Sequence, residues 1–245
     1  MPRYSALLFD LDGTLINSRE DLVLSVQEGF KAIGFAPPET ALIVRNIGKP
    51  LIDFPRLLGY EVTPHQQMEF ARYYRAYYSV HCGDHTEPYR GVRETLEFLH
   101  GKPGDNPPVS RKETRGLSLV SPVSFKMAIV TTKSQDQAEG TVRTIGLTRY
   151  FDLVRGWVEG RKMKPDPEPY VEAMKELGAK EPQTLIVGDS EQDILAAQAA
   201  GIDSCACLYG FRDPDYMRSL KPTYCIGSFP EVRDIALTEA KPDLA

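Results

Sequence analysis

Short apolar runs recur along the chain, and the strongest of them end in polar or charged side chains. The first run, residues 6–9, leads directly into Asp10 and Asp12. A short run that is apolar on both faces is typical of a parallel strand covered by helices on each side of its sheet. The later runs that predict strands are 125–130, 151–154, 184–187, 205–208 and 224–226.

Helical periodicity dominates the region between the first strand and roughly residue 87. Apolar residues recur at helical spacing over about 18–33, 41–47, 52–58 and 64–80, and no strand is predicted there. Ser18 followed by Asp21 resembles a capping box at the start of the first of these helices. After residue 88, helices near 91–99, 135–145, 170–177 and 194–200 alternate with the strands. The pattern predicts an α/β fold: a Rossmann-like parallel-sheet core from residues 1–16 and 88–245, with an inserted α-helical cap domain at 17–87.

Two segments allow more than one interpretation. The aromatic stripe at 70–78 could form a binding surface, but helix packing is the favoured explanation of residues at this spacing. Residues 101–124 are rich in Gly, Pro, Ser and mixed charge. Because this segment joins a helix to the next strand, we expect a surface loop or small hairpin at the amino ends of the strands.

Composition narrows the class of protein. The 245 residues are 42% hydrophobic and 26% charged, as in an ordinary soluble globular protein, and the formal net charge of −5 gives no reason to expect nucleic-acid binding. No apolar run is long enough for a membrane span, and the N-terminal run is too short for a secretion signal. The 4 cysteines do not make a disulfide framework in a chain of this length. We therefore expect a cytoplasmic enzyme.

Polar residues follow the predicted strands where their carboxyl ends should converge on one crevice. These endings are Asp10-x-Asp12, Thr131-Thr132-Lys133, a segment carrying Lys164, and Gly188-Asp189-x-x-x-Asp193. Clustered carboxylates require a divalent cation, and a lysine with a hydroxyl beside that cation suits a phosphate group. The chain has no phosphate-cradling Gly-x-x-x-x-Gly-Lys-Ser/Thr loop and no serine elbow. The 4 histidines are scattered over the helical half and are expected to be structural or solvated.

These motifs, in this order, resemble those of the haloacid-dehalogenase superfamily of phosphatases. The matching elements are Asp10-x-Asp12-Gly-Thr, Thr131, Lys164 before Pro165, and Gly188-Asp189-x-x-x-Asp193. They extend over nearly the whole chain, and the helical insert falls where such enzymes carry a cap. Within the superfamily, the chain is most similar to the phosphoglycolate phosphatase-like group.

The resemblance implies a role for each matching residue. Asp10 would be the nucleophile that forms an aspartyl-phosphate, and Asp12 would act first as acid and then as base. Asp10, the backbone carbonyl of Asp12 and Asp189 would bind Mg²⁺, with Asp193 supporting the metal or its waters. Thr131 would hydrogen-bond the phosphoryl oxygens, and Lys164 would offset the negative charge.

Several further residues carry weaker expectations. Asp193 could instead simply cap the helix that follows it. Thr132 and Lys133 stand where relatives often have Asn-Lys, and contact with substrate is one of two equal interpretations of this pair. Arg45 and Lys49 of the cap could reach a substrate anion when the cap closes, although an ordinary solvated face is the slightly favoured interpretation of both.

The resemblance leaves the substrate open. A small phosphorylated metabolite is expected, with phosphoglycolate favoured. Inorganic pyrophosphate is an alternative, since Val-Thr-Thr-Lys and Lys-Pro-Asp-Pro-Glu-Pro also resemble segments of pyrophosphatases in the same superfamily. A sugar-phosphate mutase and a non-catalytic binding or regulatory relative are further alternatives. A monomer or homodimer without nucleic-acid or membrane partners is expected.

Overall fold

A parallel sheet of six strands forms the centre of the protein, which a computed structural model describes over residues 2–101 and 124–239. The strands of the chain are β1 (Ala6–Phe9), β2 (Ile16–Asn17), β3 (Glu87–Pro88), β4 (Lys126–Ser134), β5 (Leu153–Trp157), β6 (Thr184–Gly188), β7 (Asp203–Cys207) and β8 (Tyr224–Ile226). The sheet order is β5-β4-β1-β6-β7-β8, and every pairing within it is parallel. β1 therefore lies in the interior of the sheet, between β4 and β6.

Helices cover both faces of this sheet. They are α1 (Arg19–Ala32), α2 (Thr40–Asn46), α3 (Phe54–Leu57), α4 (Pro64–His81), α5 (Val92–His100), α6 (Gln135–Thr144), α7 (Glu168–Leu177), α8 (Glu191–Ala200), α9 (Pro214–Ser219) and α10 (Glu231–Ala236). Leu7 and Phe9 of β1 pack into one apolar cluster with α5, α6 and α10. Leu8 points to the other face and packs into a second cluster with α7 and α8. The two-faced burial of β1 explains its unbroken apolar sequence.

The helices α1 to α4 form a unit with its own apolar cluster, in which Phe30 of α1 packs on Phe70 of α4 with ring centroids 5.1 Å apart. The unit lies between β2 and β3, which pair with each other as an antiparallel ribbon. This ribbon was not predicted, because each strand has only 2 residues. The predicted domain boundaries at 17 and 87 fall on paired residues of the ribbon, and the division into two domains stays a prediction.

The predicted fold class is confirmed, whereas some local predictions were wrong or incomplete. β4 continues through Ser134, beyond the predicted end at residue 130. The helices α9 and α10 were not predicted. The aromatic residues at 70–78 differ in burial: Phe70, Tyr74 and Tyr78 are buried, whereas Tyr73 is exposed. The predicted loop or hairpin at 101–124 lies, apart from its two end residues, outside the described residues.

The predicted capping box at the start of α1 was wrong. Ser18 occupies the N-cap position but makes no side-chain capping hydrogen bond. Its hydroxyl donates to Oδ1 of Asp12 instead. Asp21 accepts from Thr86 Oγ1 at 2.6 Å and from the backbone N–H of His85 at 3.1 Å, which fixes the start of α1 to the segment that returns to the core. Both side chains are thus used for tertiary contacts.

Across residues 2–101 and 124–239, none of the helices combines the length and apolar character that crossing a membrane requires.

Candidate active site

The carboxyl ends of two adjacent strands bring the principal carboxylates together. Asp10 follows β1 and Asp189 follows β6, and the register pairs Phe9, directly before Asp10, with Val187, two residues before Asp189. The backbone N–H of Asp10 donates to Val187 O at 2.9 Å, which fixes the two strand ends side by side. One carboxylate oxygen from each of Asp10, Asp189 and Asp193 lies within 4.8 Å of the other two. We call these three residues the aspartate cluster.

Lys164 supplies positive charge to the aspartate cluster. Its Nζ lies 3.0 Å from Oδ1 of Asp10 and 2.7 Å from Oδ1 of Asp193, and it donates to Val130 O at 2.9 Å. The side chain is only 2% exposed. Burial lowers the pKa of Lys164, but Asp10 and Asp193 outweigh burial and hold that pKa above its ordinary value. Lys164 is therefore a buried cation at neutral pH.

The aspartate cluster holds more negative charge than Lys164 neutralises. Burial raises the pKa of Asp10 to about 7, although Lys164 opposes the change and Asp193 and Asp12 add to it. Burial, with the charges of Asp10 and Asp193, also raises the pKa of Asp189 well above its ordinary value. A divalent cation among these oxygens would remove the repulsion, and oxygen-only ligands suit a hard cation. The donor set fits a divalent metal on these grounds.

Asp193 is fully buried, and both its carboxylate oxygens already have donors. Oδ1 accepts from Lys164 and, at 2.8 Å, from the hydroxyl of Tyr170. Oδ2 accepts from Ser190 Oγ at 2.6 Å and from Ser190 N at 3.2 Å, which completes a capping box at the start of α8. Asp193 therefore orients Lys164 and caps its helix.

Asp189 is positioned by close backbone approaches. Its Oδ2 accepts from the N–H of Phe211 at 2.7 Å, and its Oδ1 accepts from Thr14 Oγ1 at 3.3 Å. A Cβ atom added at Gly13 would lie 2.1 Å from Asp189 Oδ2, and one added at Gly210 would lie 2.2 Å from Asp189 Cβ. Gly13 also has φ +83°, a conformation that side chains disfavour. Glycine at these positions gives the Asp189 carboxylate the space it occupies.

The side chain of Asp12 contacts a different cation. Lys133 Nζ lies 2.7 Å from each of its carboxylate oxygens, and Ser18 donates to one of them. The ammonium of Lys133 also lies 4.5 Å from the ring centroid of Tyr78 in α4. Lys133 therefore links Asp12 of the core to the helical unit, a contact that favours the interpretation of Lys133 as part of the site.

The remaining predicted site residues differ in position. Thr131 and Thr132 line a small cavity together with Asp10, Asp12 and Asp189. Lys49 lines a larger neighbouring cavity together with Asp12 and Lys133. Arg45 is exposed in the last turn of α2 and is not among the residues that line either cavity. The structure thus brings every predicted site residue except Arg45 to the carboxyl edge of the sheet or the cavity beside it.

Several residues that shape the site were not identified from the sequence as site residues. Thr14 bonds Asp189, Ser18 bonds Asp12, and Tyr170 bonds Asp193. Arg212 donates to Glu191 Oε2 at 2.6 Å and to Ile47 O at 2.7 Å, so it joins the core to the segment after α2. Thr14 stands inside the first motif and could have been included, whereas the other contacts join residues remote in sequence and left no local signal.

A buried carboxylate cluster with a lysine, at the carboxyl edge of a Rossmann-like sheet, is the arrangement of metal-assisted phosphoryl-transfer enzymes. The sequence model of the haloacid dehalogenase-like hydrolases matches residues 7–103 and 117–207 of this chain. The chain belongs to that family of hydrolases. Enzymes of this family generally use a divalent metal, and the aspartate cluster could hold one.

Individual relatives agree with this assignment. The chain is 34% identical over 238 residues to the pyrophosphatase PpaX of Halalkalibacterium halodurans, which covers 97% of this chain and 99% of the relative. It is 28% identical to a phosphoglycolate phosphatase of Aquifex aeolicus over 84% of this chain and 85% of the relative. A crystal structure of a predicted phosphoglycolate phosphatase from Haemophilus somnus superposes with a TM-score of 0.81 and 25% identity, covering 96% of this chain and 99% of that one.

Proposed function

We propose that the protein is a Mg²⁺-dependent phosphatase that hydrolyses a small phosphomonoester through a phosphorylated Asp10. The observation that carries this proposal is the contact of Asp10 with Lys164 beside Asp189, with Asp12 two residues away. A nucleophilic carboxylate, a fixed cation and a second carboxylate for proton transfer are the groups that such a reaction needs. Asp10 and Asp189 would hold the Mg²⁺, together with the backbone carbonyl of Asp12.

Each residue has a defined part in the reaction. Asp10 Oδ1 lies against Lys164, so Oδ2 is the oxygen that attacks phosphorus. As the new P–O bond forms, the bond to the leaving oxygen breaks, and the Asp12 carboxyl donates a proton to that oxygen. Asp12 then takes a proton from water, whose oxygen attacks phosphorus and displaces Asp10, releasing inorganic phosphate. Bound Mg²⁺ would supply charge stabilisation for the phosphoryl oxygens.

Proton transfer by Asp12 requires a change in its ion pair. Lys133 donates to both carboxylate oxygens of Asp12 at 2.7 Å, so Lys133 occupies the carboxylate that would face the leaving oxygen. Oxygens of the bound substrate would compete with Asp12 for Lys133. The hydroxyls of Thr131 and Thr132 would hydrogen-bond the phosphoryl group. Binding of substrate would therefore release Asp12 for its role as acid.

The test is phosphate release from a panel of phosphorylated compounds with and without Mg²⁺. Phosphoglycolate and pyrophosphate come first, because relatives carry those two activities in their names; hexose phosphates complete the panel. We expect release only with Mg²⁺, and we expect Asp10→Asn to abolish it, by at least about 10⁴-fold in kcat, while the variant keeps its circular dichroism spectrum. Near-full, Mg²⁺-dependent turnover by Asp10→Asn would refute the nucleophile assignment.

The same panel separates the remaining candidates. Pyrophosphate hydrolysis has specific support from the 34% identity to the Halalkalibacterium halodurans pyrophosphatase. Phosphoglycolate is a monoester, and the cation of Lys49 in the cavity beside Asp12 suits its carboxylate. Transfer between positions of a hexose phosphate without phosphate release would identify a mutase. Folded protein that binds phosphorylated compounds without turnover would identify a binding protein. A cytoplasmic location and a monomeric or homodimeric state remain predictions from the sequence.

A further inference from the structure

A cavity of about 180 Å³ adjoins the small cavity that contains Asp10. It lies between α1, α4 and the segment after α2 on one side and the ends of β4 and β5 on the other. The two cavities share Asp12 and Thr132. In the proposed reaction Asp12 protonates the leaving oxygen, so the larger cavity stands on the leaving-group side of phosphorus. We call it the leaving-group cavity.

The walls of the leaving-group cavity are mostly apolar. Leu22, Val26, Phe54 and Tyr74 contribute from the helical unit, and each is at most 8% exposed. Trp157 and Met163 close it from the core. An engineered cavity of about 150 Å³ with apolar walls binds benzene. The leaving-group cavity therefore has room for an organic group of that size, and glycolate or a second phosphate would leave much of its apolar wall without a contact.

The polar groups in these walls favour an anion. Asp12 is the only acidic residue among the described residues that line the cavity, and Lys133 engages it. Lys49 Nζ has a neutral partner, the Oδ1 of Asn46 at 2.9 Å. Arg75 of α4, an exposed residue that lines the cavity, makes no hydrogen bond or ion pair with any described residue. Two cations of the cavity thus have no carboxylate partner within the described part of the chain.

A buried amide adds a further polar group. Gln137, in the first turn of α6, lines the cavity and accepts from Ser134 Oγ at 3.2 Å through its Oε1. Its Nε2 is buried without a partner among the described residues. Buried polar groups are almost always hydrogen-bonded in folded proteins, so an unpartnered one at a cavity wall indicates a place for a ligand atom.

From the size of the cavity, its apolar walls and its two cations without a carboxylate partner, we propose that the preferred substrate is a phosphomonoester whose leaving group has an apolar body of about benzene size and carries a second anionic group. The apolar body fills the space between α1 and Trp157, and the anion meets Arg75 and Lys49. This inference rests on the proposed phosphatase activity at Asp10. A preference for such a substrate would distinguish this protein from an enzyme specific for phosphoglycolate or pyrophosphate.

The test compares esters that differ in size but not in leaving-group chemistry. Ethyl phosphate and benzyl phosphate both release a primary alcohol, so cavity contacts are the principal difference between them. We expect kcat/KM for benzyl phosphate to exceed that for ethyl phosphate by about 100-fold, within the range that extra apolar contact in an enzyme pocket supplies. 3-Carboxybenzyl phosphate is expected to exceed benzyl phosphate by a further factor of about 10, as a hydrogen bond to a charged group provides.

Two variants assign these preferences to the cavity. Arg75→Gln should remove the advantage of the carboxyl group and leave benzyl phosphate preferred over ethyl phosphate. Its matched control is Arg72→Gln, one turn earlier on α4, because Arg72 pairs with Glu69 and does not line the cavity. Val26→Phe fills part of the cavity and should reduce the ratio of benzyl to ethyl turnover. If Val26→Phe does not fold, Ile52→Trp at the half-exposed edge of the cavity replaces it.

The outcomes distinguish this inference from the activity on which it rests. Efficient hydrolysis of phosphoglycolate or pyrophosphate with benzyl phosphate no better than ethyl phosphate would overturn the inference and leave the phosphatase standing. Release from no ester would overturn the phosphatase. The cavity is then judged by calorimetry with 2-phenylethylphosphonate and propylphosphonate, which cannot be hydrolysed. Binding of the aromatic compound at least about 10-fold tighter supports the cavity, and equal binding overturns it.

Discussion

Replacing Lys164 by methionine tests how much of the site depends on one buried cation. The change keeps a long unbranched side chain and removes the charge. Lys164 Nζ contacts Asp10 at 3.0 Å, Asp193 at 2.7 Å and Val130 O at 2.9 Å, and all three contacts are lost. Asp10 and Asp193 then face each other in a buried site with no cation between them.

The magnitudes follow from these contacts. Removing one partner of a buried ion pair costs about 3–5 kcal/mol of folding free energy, because the remaining charge is left uncompensated. Asp10, whose pKa is already raised to about 7 by burial, is then still harder to ionise. Since the nucleophile must be ionised and the transition state loses a fixed positive charge, we expect kcat to decrease by about 10²–10³-fold.

The assay is Mg²⁺-dependent phosphate release together with urea denaturation in EDTA and in Mg²⁺. We expect Lys164→Met to be destabilised in EDTA and to recover part of the loss in Mg²⁺, because the cation also neutralises Asp10. Lys126→Met is the matched control: Lys126 begins β4 and donates to Leu177 O at the opposite edge of the sheet. Turnover within about 5-fold of wild type for Lys164→Met would refute the electrostatic role of Lys164, since a single catalytic donor is ordinarily worth far more.

Two further predictions concern Asp10 and Gly13. Because the pKa of Asp10 is raised to about 7 on folding, its contribution to stability is present in acid and lost as pH rises toward and through 7. In urea denaturation with EDTA, the stability of Asp10→Asn relative to wild type should therefore increase between pH 5 and pH 8. A stability difference that stays constant over this range would contradict the raised pKa. Gly13→Ala should raise the Mg²⁺ concentration for half-maximal activity and lower kcat, because its Cβ would lie 2.1 Å from Asp189 Oδ2. Gly34→Ala is the control, because Gly34 has a similar φ of +82° but no atom lies within 4 Å of an added Cβ; it should show only the backbone cost of about 1–2 kcal/mol. Equal metal dependence of Gly13→Ala and Gly34→Ala would contradict the steric argument.

The order of elements was predictable from the sequence because the sheet is buried on both faces. β1 and β6 are buried along their whole length, and apolar runs mark both in the sequence. The edge strand β8 is only partly buried, but it has the predicted bounds, Tyr224–Ile226. The short ribbon of β2 and β3 could not be predicted, since 2 residues carry no periodicity. Asp213 is the N-cap of α9 and accepts from the N–H groups of Asp215 and Tyr216, a capping signal that lies outside any strong apolar pattern.

The topology of the sheet predicted which site residues lie near one another. It did not predict the hydrogen-bond partners of their side chains. Parallel neighbours place Asp10 and Asp189 together as soon as β1 and β6 are adjacent. Ser18 was predicted to cap α1 because only its sequence neighbours could be considered, but a bond to Asp12 is available to it in the folded chain. The roles assigned by resemblance to individual residues remain predictions until the variants described above are measured.

The loop after β7 shows how the two cavities are joined mechanically. Phe211 donates its N–H to Asp189 and packs its ring into the cluster of the helical unit, while Arg212, the next residue, donates to Ile47 O at 2.7 Å. Ile47 in turn lines both the small cavity and the leaving-group cavity. Two consecutive residues, Phe211 and Arg212, therefore connect the helical unit to the carboxylate of Asp189. In the proposed reaction, a leaving group held by the helical unit and a cation held by Asp189 would both contact groups that this short segment of backbone joins.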